Sequence, residues 1–250
     1  MTAAETPAEK WSSSWQREEG DPGFHYPEVH PSLQAHWHRI APPERSSGHR
    51  VLVPLSGKSL DLTFIASQHD VSDVLGVEAV KQAIDEYKAE NPSLNMAWTS
   101  SGSLDACVGK QPETGTRVVQ LLGDFLQLTA DSTGGTFHAC WDRAALVAVD
   151  LESREAYADT IARLLHVGGK CLLTVFNRVA GSEDAISRGP PYGVSEETVH
   201  RLYEQRGFEI SKLASDDRTD KPIKPGWGVT WREHGLTKML EETYLMTKKS

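Results

Sequence analysis

The sequence predicts an α/β fold in which helices cover both faces of a doubly wound, mostly parallel sheet of seven strands. Three observations lead to this prediction. From residue 49 onward, short apolar runs alternate with segments of helical period. Turn residues, glycine above all, separate these segments. At 250 residues the chain is long enough for one large domain with a substantial core.

The predicted strands lie near residues 50–55, 71–77, 117–122, 136–141, 170–176, 207–213 and 242–247. The predicted helices lie near residues 58–68, 79–90, 153–166 and 195–205. The third helix has apolar residues at helical spacing and ends before Gly168-Gly169, a C-terminal signal. The last two strands lie close together in the sequence around Gly226-Trp227-Gly228, so we expect them to form an antiparallel edge.

Three parts are expected along the chain. Residues 1–10 are polar and are predicted to form a disordered tail. Residues 11–48, which are rich in aromatic residues and histidine, are predicted to form an N-terminal helical lid, with prolines that break any long helix. Residues 49–250 form the predicted α/β domain. Within it, segments 91–116 and 178–194 have the Gly, Ser and Pro content of surface loops.

The composition excludes several classes of partner. A formal net charge of −9 disfavours binding to nucleic acid. No apolar run approaches the roughly 20 residues that cross a bilayer, and the first residues lack the features of a secretory signal. The three cysteines, Cys107, Cys140 and Cys171, are far apart, as is typical of free thiols in a reducing compartment. We therefore expect a cytoplasmic protein that acts on a small molecule, and no metal site.

The most informative motif joins a glycine turn to a later carboxylate. The strand predicted near residues 50–55 is followed by a turn at Gly57 and then by a helix. Glu78 ends the next predicted strand, 21 residues after Gly57. A carboxylate about 20 residues beyond such a turn is what α/β folds use to bind the two hydroxyls of a ribose. The alternative role for Glu78 is to cap a helix start.

Two other nucleotide-binding motifs resemble this part of the sequence, but neither is complete in it. Gly57-Lys58-Ser59 matches the end of a phosphate loop, but Leu52 stands where that loop needs its first glycine. The dinucleotide fingerprint needs three glycines, and only Gly57 is present. The expected cofactor therefore carries adenosine but no di- or triphosphate, and S-adenosylmethionine fits that description.

Two more segments follow predicted strands and reach the same edge of the sheet. Gly123-Asp124 can receive an adenine, with Asp124 accepting from its amine, or can form a plain turn with a helix cap. Arg143 can hold the carboxylate of the cofactor or an anionic acceptor, since a guanidinium suits both. The alternative is an internal pair between Asp142 and Arg143.

Aromatic residues and prolines complete the candidate site. Trp11 and Trp15 share one face of a helix, and Phe24 follows. These three side chains can simply anchor the N-terminal segment, or they can cover a sulfonium and exclude water, and the two roles are compatible. Pro190-Pro191 is a rigid pair that can wall an acceptor pocket or only end a loop.

These residues together resemble the thiopurine S-methyltransferase family. The matching motifs are Trp11-x-x-x-Trp15 with Gly20 and Phe24-His25, Pro54-Leu55-x-Gly57-Lys58, Gly76-Val77-Glu78, Trp141-Asp142-Arg143, Arg154-x-x-Tyr157-Ala158, Gly189-Pro190-Pro191 and Trp227-Gly228. The chain differs at Ser56, where the family often has Cys, and in segments 91–116 and 178–188, which could reshape the acceptor pocket.

The resemblance implies a Rossmann-like class I methyltransferase that uses S-adenosylmethionine and is monomeric and cytosolic. By position it implies cofactor contacts, which with Gly57 of the turn motif are Trp11, Trp15, Phe24, Leu55, Gly57, Glu78, Gly123, Asp124 and Arg143. The acceptor contacts that it implies are Phe24, Arg143, Pro190 and Pro191.

We expect methyl transfer to a soft sulfur nucleophile, a thiopurine or another aromatic or heterocyclic thiol, by one in-line displacement. The cofactor is already an activated donor, so no catalytic acid or base is assigned. Two alternatives stay open: a methyltransferase for halide, sulfide, selenium or small alkyl thiols, and a protein that binds S-adenosylmethionine without catalysis.

Overall fold

The structure is a computed structural model that describes residues 6–16, 21–41, 48–101, 104–180, 188–222 and 229–250. The described helices are α1 (Pro7–Trp15), α2 (Pro31–Ile40), α3 (Asp61–Ala66), α4 (Lys81–Glu90), α5 (Arg154–Leu164) and α6 (Glu196–Glu204). The described strands are β1 (His49–Val53), β2 (Val71–Glu78), β3 (Ala97–Ser101), β4 (Leu104–Lys110), β5 (Arg117–Leu122), β6 (Phe137–Arg143), β7 (Leu165–Ala180), β8 (Phe208–Asp217) and β9 (Leu236–Lys248). None of these helices is long and apolar enough to cross a membrane.

The strands form one mixed sheet in the order β3-β4-β5-β2-β1-β6-β7-β9-β8. The five central strands, β5 to β7 in this order, are parallel. Strand β9 runs antiparallel to both β7 and β8. The chain proceeds outward from β1 in both directions, so the strand order reverses beside β1. In open α/β sheets the ligand crevice lies at the carboxyl ends of the strands at this point.

Alternating residues of the central strands place helices on both faces. Val51 and Val53 of β1 pack with α2, α3 and α4 in one core cluster. Leu52, on the opposite face, packs with α5 and α6 in the other. Successive side chains of a strand point to opposite faces, so a strand buried on both faces is apolar throughout. This explains why β1 reads as a continuous apolar run.

The predicted fold class is confirmed. Each of the seven predicted strands and four predicted helices is present, as is the antiparallel edge between the last two strands. The connection around Gly226-Trp227-Gly228 lies outside the described residues, as does Gly20.

The prediction of a surface loop over residues 91–116 is wrong. This segment contains β3 and β4, an antiparallel hairpin that pairs with β5 and widens the sheet to nine strands. Its Gly109 serves close packing, since a Cβ at that position would lie 2.5 Å from the carbonyl oxygen of Leu94. Polar residues suit β3 because it is an edge strand. The Gly- and Ser-rich composition that predicted a loop therefore belongs to an edge hairpin.

Three other boundaries also differ from the predictions. Residues 7–10, assigned to a disordered tail, form the first turns of α1, and residues 1–5 lie outside the described residues. Pro31 occupies the first turn of α2, where its missing N–H costs nothing, so this proline begins a helix. Strand β7 extends to Ala180, into the predicted loop over 178–194, whose residues 181–187 lie outside the described residues.

Three histidines lie in contact at the opposite edge of the sheet from the crevice. His138 lies between His49 and His166, with ring centroids 5.0 Å and 4.5 Å away. Burial, together with repulsion from His138, lowers the pKa of His49 to about 4. The folded protein therefore resists a proton that the unfolded chain accepts near pH 6.5.

Acidification is expected to destabilise the fold through His49. Neutral His49 contributes about 3 kcal/mol to the free energy of unfolding. This contribution is fully present above pH 6.5 and is lost as the pH falls toward 4. Denaturant unfolding at pH 7 and pH 4.5 measures the loss in wild type and His49→Gln. His200→Gln, a change at a partly exposed histidine of α6, serves as control. Equal pH dependence in all three proteins would contradict this assignment.

Candidate functional site

The turn after β1 is shaped by two residues with positive φ, Leu55 at 46° and Gly57 at 52°. Ser56 donates from its Oγ to Gln120 Oε1 at 2.7 Å, and Gln120 Nε2 donates to the Gly57 carbonyl at 3.0 Å. A Cβ at Gly76 would lie 2.6 Å from Ser56 Oγ. The glycine of Gly76-Val77-Glu78 is therefore required for the turn to pack on β2.

Glu78 lies buried at the carboxyl end of β2 and faces this turn. Its Oε2 accepts from the Gly57 N–H at 3.0 Å, and its Oε1 accepts from the Val80 N–H at 2.8 Å. Burial raises the pKa of Glu78, and these backbone bonds oppose the shift. A carboxylate has about four lone-pair sites, so Glu78 can also accept from the hydroxyls of a ribose. Glu78 therefore acts as a cap for backbone N–H groups and can also accept hydrogen bonds from a ribose.

Gly123-Asp124 follows β5 next to Glu78. The Gly123 N–H donates to the Glu78 carbonyl at 2.9 Å, which ties the two strand ends together. Asp124 Oδ1 accepts from the Leu126 N–H at 3.0 Å and caps a single 3₁₀ turn over Phe125–Gln127. The cap leaves Oδ2 available at the cavity wall, so the cap and an adenine contact are compatible.

Asp142 and Arg143 end β6 and point to opposite faces of the sheet. Asp142 accepts from the Tyr157 hydroxyl at 2.8 Å, and burial raises its pKa to about 6. Arg143 Nη1 donates to the Phe24 carbonyl at 2.8 Å, and its guanidinium lies 5.7 Å from the Tyr26 ring centroid. The internal Asp–Arg pair is therefore not formed, and Arg143 faces the crevice.

The N-terminal aromatic residues lie over the turn. Phe24 makes edge contacts with Trp11 and Trp15, at centroid separations of 5.4 and 5.7 Å. Trp15 is 4% exposed, and its ring would lie 3.3 Å from a Cβ at Gly57. It packs on Val80 and Ala83 beside Trp11. The cluster of Trp11, Trp15 and Phe24 therefore covers the crevice beside the Gly57 turn.

Ion pairs attach this segment to the domain, a feature that sequence reasoning missed. Lys58 is 5% exposed, and its Nζ lies 2.6 Å from Asp21, 2.5 Å from Glu90 and 3.2 Å from Glu86. Burial opposes its charge, but the bonds to these carboxylates outweigh burial and raise the pKa of Lys58. The three carboxylates lie close enough to hold a metal ion, and the Lys58 ammonium group lies within ion-pair distance of all three.

A second attachment lies at the other end of α1. Lys10 Nζ lies 2.5 Å from Asp150 Oδ1, and the Tyr192 hydroxyl donates to the same oxygen at 3.0 Å. Tyr192 follows the proline pair, and the Pro191 carbonyl accepts from Arg178 at 2.7 Å. Asp150 therefore links α1 to the loop that carries Pro190-Pro191.

All eleven residues predicted for the site line one cavity of about 1010 Å³. They are Trp11, Trp15, Phe24, Leu55, Gly57, Glu78, Gly123, Asp124, Arg143, Pro190 and Pro191. The volume suits a drug-sized ligand with room for a second small molecule. We call the part beside Glu78 and Asp124 the nucleoside end, after the group that the sequence analysis predicts to bind there.

The opposite part, which we call the acceptor end, contains residues that the sequence did not identify. They are Tyr26, His30, Asp61, Trp141, Phe176, Arg178, Arg188, Arg218, Lys221, Trp231, His234 and Glu241. The only local signal was Trp141 in the Trp-Asp-Arg motif, whose indole Nε1 donates to Asp61 Oδ2 at 2.7 Å. Phe176 and Glu241 lie on β7 and β9, and Arg218 lies in the described part of the connection between β8 and β9, so strand order brings them to this end of the sheet.

The chain is similar to known proteins over nearly its whole length. The sequence pattern of the thiopurine S-methyltransferase (TPMT) family matches residues 6–247. The thiopurine S-methyltransferase of Pseudomonas paraeruginosa is 32% identical over 243 residues, which cover 96% of this chain and 99% of that protein. The thiopurine S-methyltransferase of Vibrio campbellii is 32% identical over 241 residues, which cover 96% and 98%.

Solved structures agree on the fold. A phosphoethanolamine N-methyltransferase from Haemonchus contortus, in complex with S-adenosylhomocysteine, matches 87% of this chain and 53% of its own with a TM-score of 0.61 and 14% identity. An S-adenosylmethionine-dependent methyltransferase from Methanosarcina mazei matches 89% of this chain and 99% of its own with a TM-score of 0.58 and 16% identity.

The family match spans the N-terminal aromatic segment, the glycine turn, Glu78 and the Trp-Asp-Arg motif, which meet in one cavity. The chain therefore belongs to the thiopurine S-methyltransferase family and is a class I methyltransferase that uses S-adenosylmethionine.

Proposed function

We propose that the protein transfers the methyl group of S-adenosylmethionine to the sulfur of a small aromatic or heterocyclic thiol, thiopurines included. One observation carries this proposal: a single cavity combines a nucleoside end, built on Gly57 and Glu78, with a separate aromatic acceptor end. Family membership supports sulfur as the atom that is methylated.

The cofactor would be held by the residues of the nucleoside end. Glu78 would accept from the ribose hydroxyls with its remaining lone-pair capacity. Gly123 and Asp124 would border the adenine, and the positive φ of Leu55 and Gly57 lets the backbone approach the ligand closely. Arg143 would pair with the carboxylate of the methionine part.

The aromatic cluster would act on the reacting centre. When bound, S-adenosylmethionine supplies a methyl group on a positively charged sulfur. Trp11, Trp15 and Phe24 present ring faces and edges at this side of the cavity, and aromatic faces attract cations by about 0.5–2 kcal/mol. Their packing over Gly57 would also exclude water, which strengthens electrostatic interactions inside the cavity.

No dedicated general base is needed for this reaction. A thiol with a pKa near 8.5 is ionised to a few per cent at neutral pH, and aromatic thiols are more acidic. The enzyme therefore needs to align the thiolate with the methyl group, a contribution of up to about 7–11 kcal/mol. Phe24, Arg143, Pro190 and Pro191 would position the acceptor for this step.

Two alternatives make different predictions. A methyltransferase for halide, sulfide, selenium compounds or small alkyl thiols would transfer the methyl group to iodide or sulfide faster than to any aromatic thiol. A protein that only binds S-adenosylmethionine would transfer it to none of them. The aromatic wall formed by Tyr26, Phe176 and Trp231 favours a planar acceptor over either alternative.

Transfer of labelled methyl to a panel of acceptors is expected to rank thiophenols and thiopurines above small thiols and iodide. Calorimetry is expected to show binding of S-adenosylmethionine but not of NAD or ATP, because the chain has one turn glycine in place of three. Turnover of iodide alone, or binding of NAD without a response to S-adenosylmethionine, would refute the proposal. We also propose a cytoplasmic monomer, which light scattering and fractionation check.

A further inference from the structure

The N-terminal segment is joined to the domain at Lys58. The Nζ of Lys58 lies 2.6 Å from Asp21 of this segment, and it lies 3.2 Å from Glu86 and 2.5 Å from Glu90, both on α4. Lys58 is 5% exposed, so its charge depends on these carboxylates for compensation rather than on water. One buried cation therefore contacts both the segment that covers the cavity and the domain that forms it.

The domain holds Lys58 independently of the N-terminal segment. Lys58 directly follows Gly57, whose N–H donates to Glu78 at 3.0 Å, so the turn after β1 fixes its backbone. Glu86 and Glu90 are four residues apart on α4, so both reach the same ammonium group. These two carboxylates stay with Lys58 if the N-terminal segment moves away. The ion pair with that segment is therefore the part of the cluster that can open and close.

On the other side of this ion pair, Asp21 directly precedes the short turn that carries Phe24. The His25 N–H donates to the carbonyl three residues earlier at 2.9 Å, which closes the turn. His25 Nε2 also lies 3.9 Å from Asp21 Oδ2. Arg143 Nη1 donates to the Phe24 carbonyl at 2.8 Å. Lys58 and Arg143 therefore hold the turn that places the Phe24 ring, one before the ring and one at it.

Burial does little to hold Phe24 in place. Its side chain is 41% exposed, whereas Trp15 is 4% exposed. The Phe24 ring nevertheless contacts both tryptophans of the cluster, with centroids 5.4 Å from Trp11 and 5.7 Å from Trp15. The position of this ring over the cavity therefore depends on the bonds that hold its turn more than on the apolar area that it buries.

The ion pair between Asp21 and Lys58 is suited to reversible opening. Asp21 is 46% exposed, so water can solvate its carboxylate as soon as the pair separates. Lys58 keeps its two partners on α4, so the open state leaves no uncompensated buried charge. In the proposed complex the aromatic cluster covers the cofactor, so its entry and exit would require this opening.

We infer that Lys58 is a positioning residue that acts through Asp21, and that their ion pair holds the aromatic cluster over the cofactor and sets the rate at which S-adenosylhomocysteine leaves. The inference rests on the cover of the cofactor by this cluster, which is part of the proposed function. Opening of such covers and release of product limit turnover in many enzymes. Lys58 thereby controls exchange of the cofactor without contact with the reacting atoms.

Surface plasmon resonance over immobilised protein measures the rate at which S-adenosylhomocysteine dissociates. Asp21→Asn is expected to raise this rate about fivefold, as for loss of a partly exposed ion pair, and to leave the melting temperature nearly unchanged. Glu90→Gln is the matched control. Glu90 contacts the same nitrogen at 2.5 Å, and its side chain is equally exposed, but it belongs to α4. This control should lower the melting temperature slightly and leave the dissociation rate at the wild-type value.

A double-mutant cycle tests whether Asp21 acts with Lys58. Lys58→Met is expected to raise the dissociation rate at least as much as Asp21→Asn, and the double variant should dissociate no faster than Lys58→Met alone. Lys58→Arg keeps the positive charge, so it should dissociate more slowly than Lys58→Met. Added salt should speed dissociation more in the wild type than in Asp21→Asn, because only the wild type has this ion pair to screen.

The inference is wrong if Asp21→Asn leaves the dissociation rate unchanged, if Glu90→Gln changes it equally, or if the effects of Asp21→Asn and Lys58→Met are additive. The comparison of Asp21→Asn with Glu90→Gln needs no variant of Lys58, so it decides the matter even if Lys58→Met does not fold. These rates involve no methyl acceptor. If they are as expected but no thiol is methylated, the proposed function fails and the role of Lys58 in cofactor exchange stands.

Discussion

Removal of residues 1–24 is expected to abolish methyl transfer while the remaining domain stays folded. The deletion takes away Trp11, Trp15 and Phe24, so the nucleoside end of the cavity opens to water beside Gly57. Loss of aromatic contact with a cation costs about 0.5–2 kcal/mol, and loss of water exclusion adds to it. Single-turnover methyl transfer on the folded fraction is the measurement.

The structure explains why the truncated protein should fold. Helix α2 begins beyond the deletion, and its Leu33 and Ile40 are fully buried in the core. Lys58 loses Asp21 but keeps Glu86 and Glu90 as partners, so its charge stays compensated. A lower melting temperature is expected because Val80 and Ala83 lose the cover of Trp15.

A point variant distinguishes a role of the aromatic residues in methyl transfer from a role in stability alone. Trp15→Leu is expected to reduce methyl transfer by about tenfold, whereas Trp37→Leu, on α2 and against Phe64, should affect only the melting temperature. Full turnover by the truncated protein or by folded Trp15→Leu would show that the aromatic residues only anchor the segment. If the truncated protein does not fold, the two tryptophan variants decide between these roles.

Replacement of Glu78 by glutamine is expected to weaken S-adenosylmethionine binding about tenfold to a hundredfold. This corresponds to roughly 1.5–3 kcal/mol for bonds to a charged group. The amide offers one oxygen where the carboxylate offers two, so either Gly57 or Val80 also loses its acceptor. Calorimetric titration of the folded variant measures the dissociation constant.

Asp73→Asn is the matched control for this prediction. Asp73 is a buried carboxylate on the same strand, paired with Arg50 at 3.0 Å and distant from the cavity. Its loss should lower stability and leave the affinity for the cofactor unchanged. Equal affinities in wild type and Glu78→Gln would show that Glu78 only holds the turn.

The same carboxylate predicts a pH dependence of binding. Burial raises the pKa of Glu78 above that of an ordinary glutamate. The charged form of Glu78, to which we assign the ribose contact in the proposed function, is therefore lost at a higher pH than usual as the solution is acidified. Cofactor affinity should fall on acidification, and the fall should be weaker in Glu78→Gln.

Most of the fold followed from local patterns in the sequence. Apolar runs such as that of β1 are buried on both faces, so they stand out from the amphipathic helices between them. The sequence patterns did not predict the elements that lie at the edge of the sheet or at the boundary of a helix. The β3–β4 hairpin has the composition of a loop because one face of an edge strand meets solvent, and α2 begins at a proline that suggested an interruption.

The sequence by itself determined that Gly57 and Glu78 meet at one edge of the sheet. Gly57 and Glu78 lie at the ends of two adjacent parallel strands. Their spacing along the chain therefore predicts that they lie close together in the fold. Only the tertiary structure decided the acceptor end. Lys58 meets Asp21 and Glu90, and Arg218 meets Glu241 near His30, through strand order and helix packing. Such contacts join residues far apart in the chain, and neither spacing nor periodicity encodes which of them will meet.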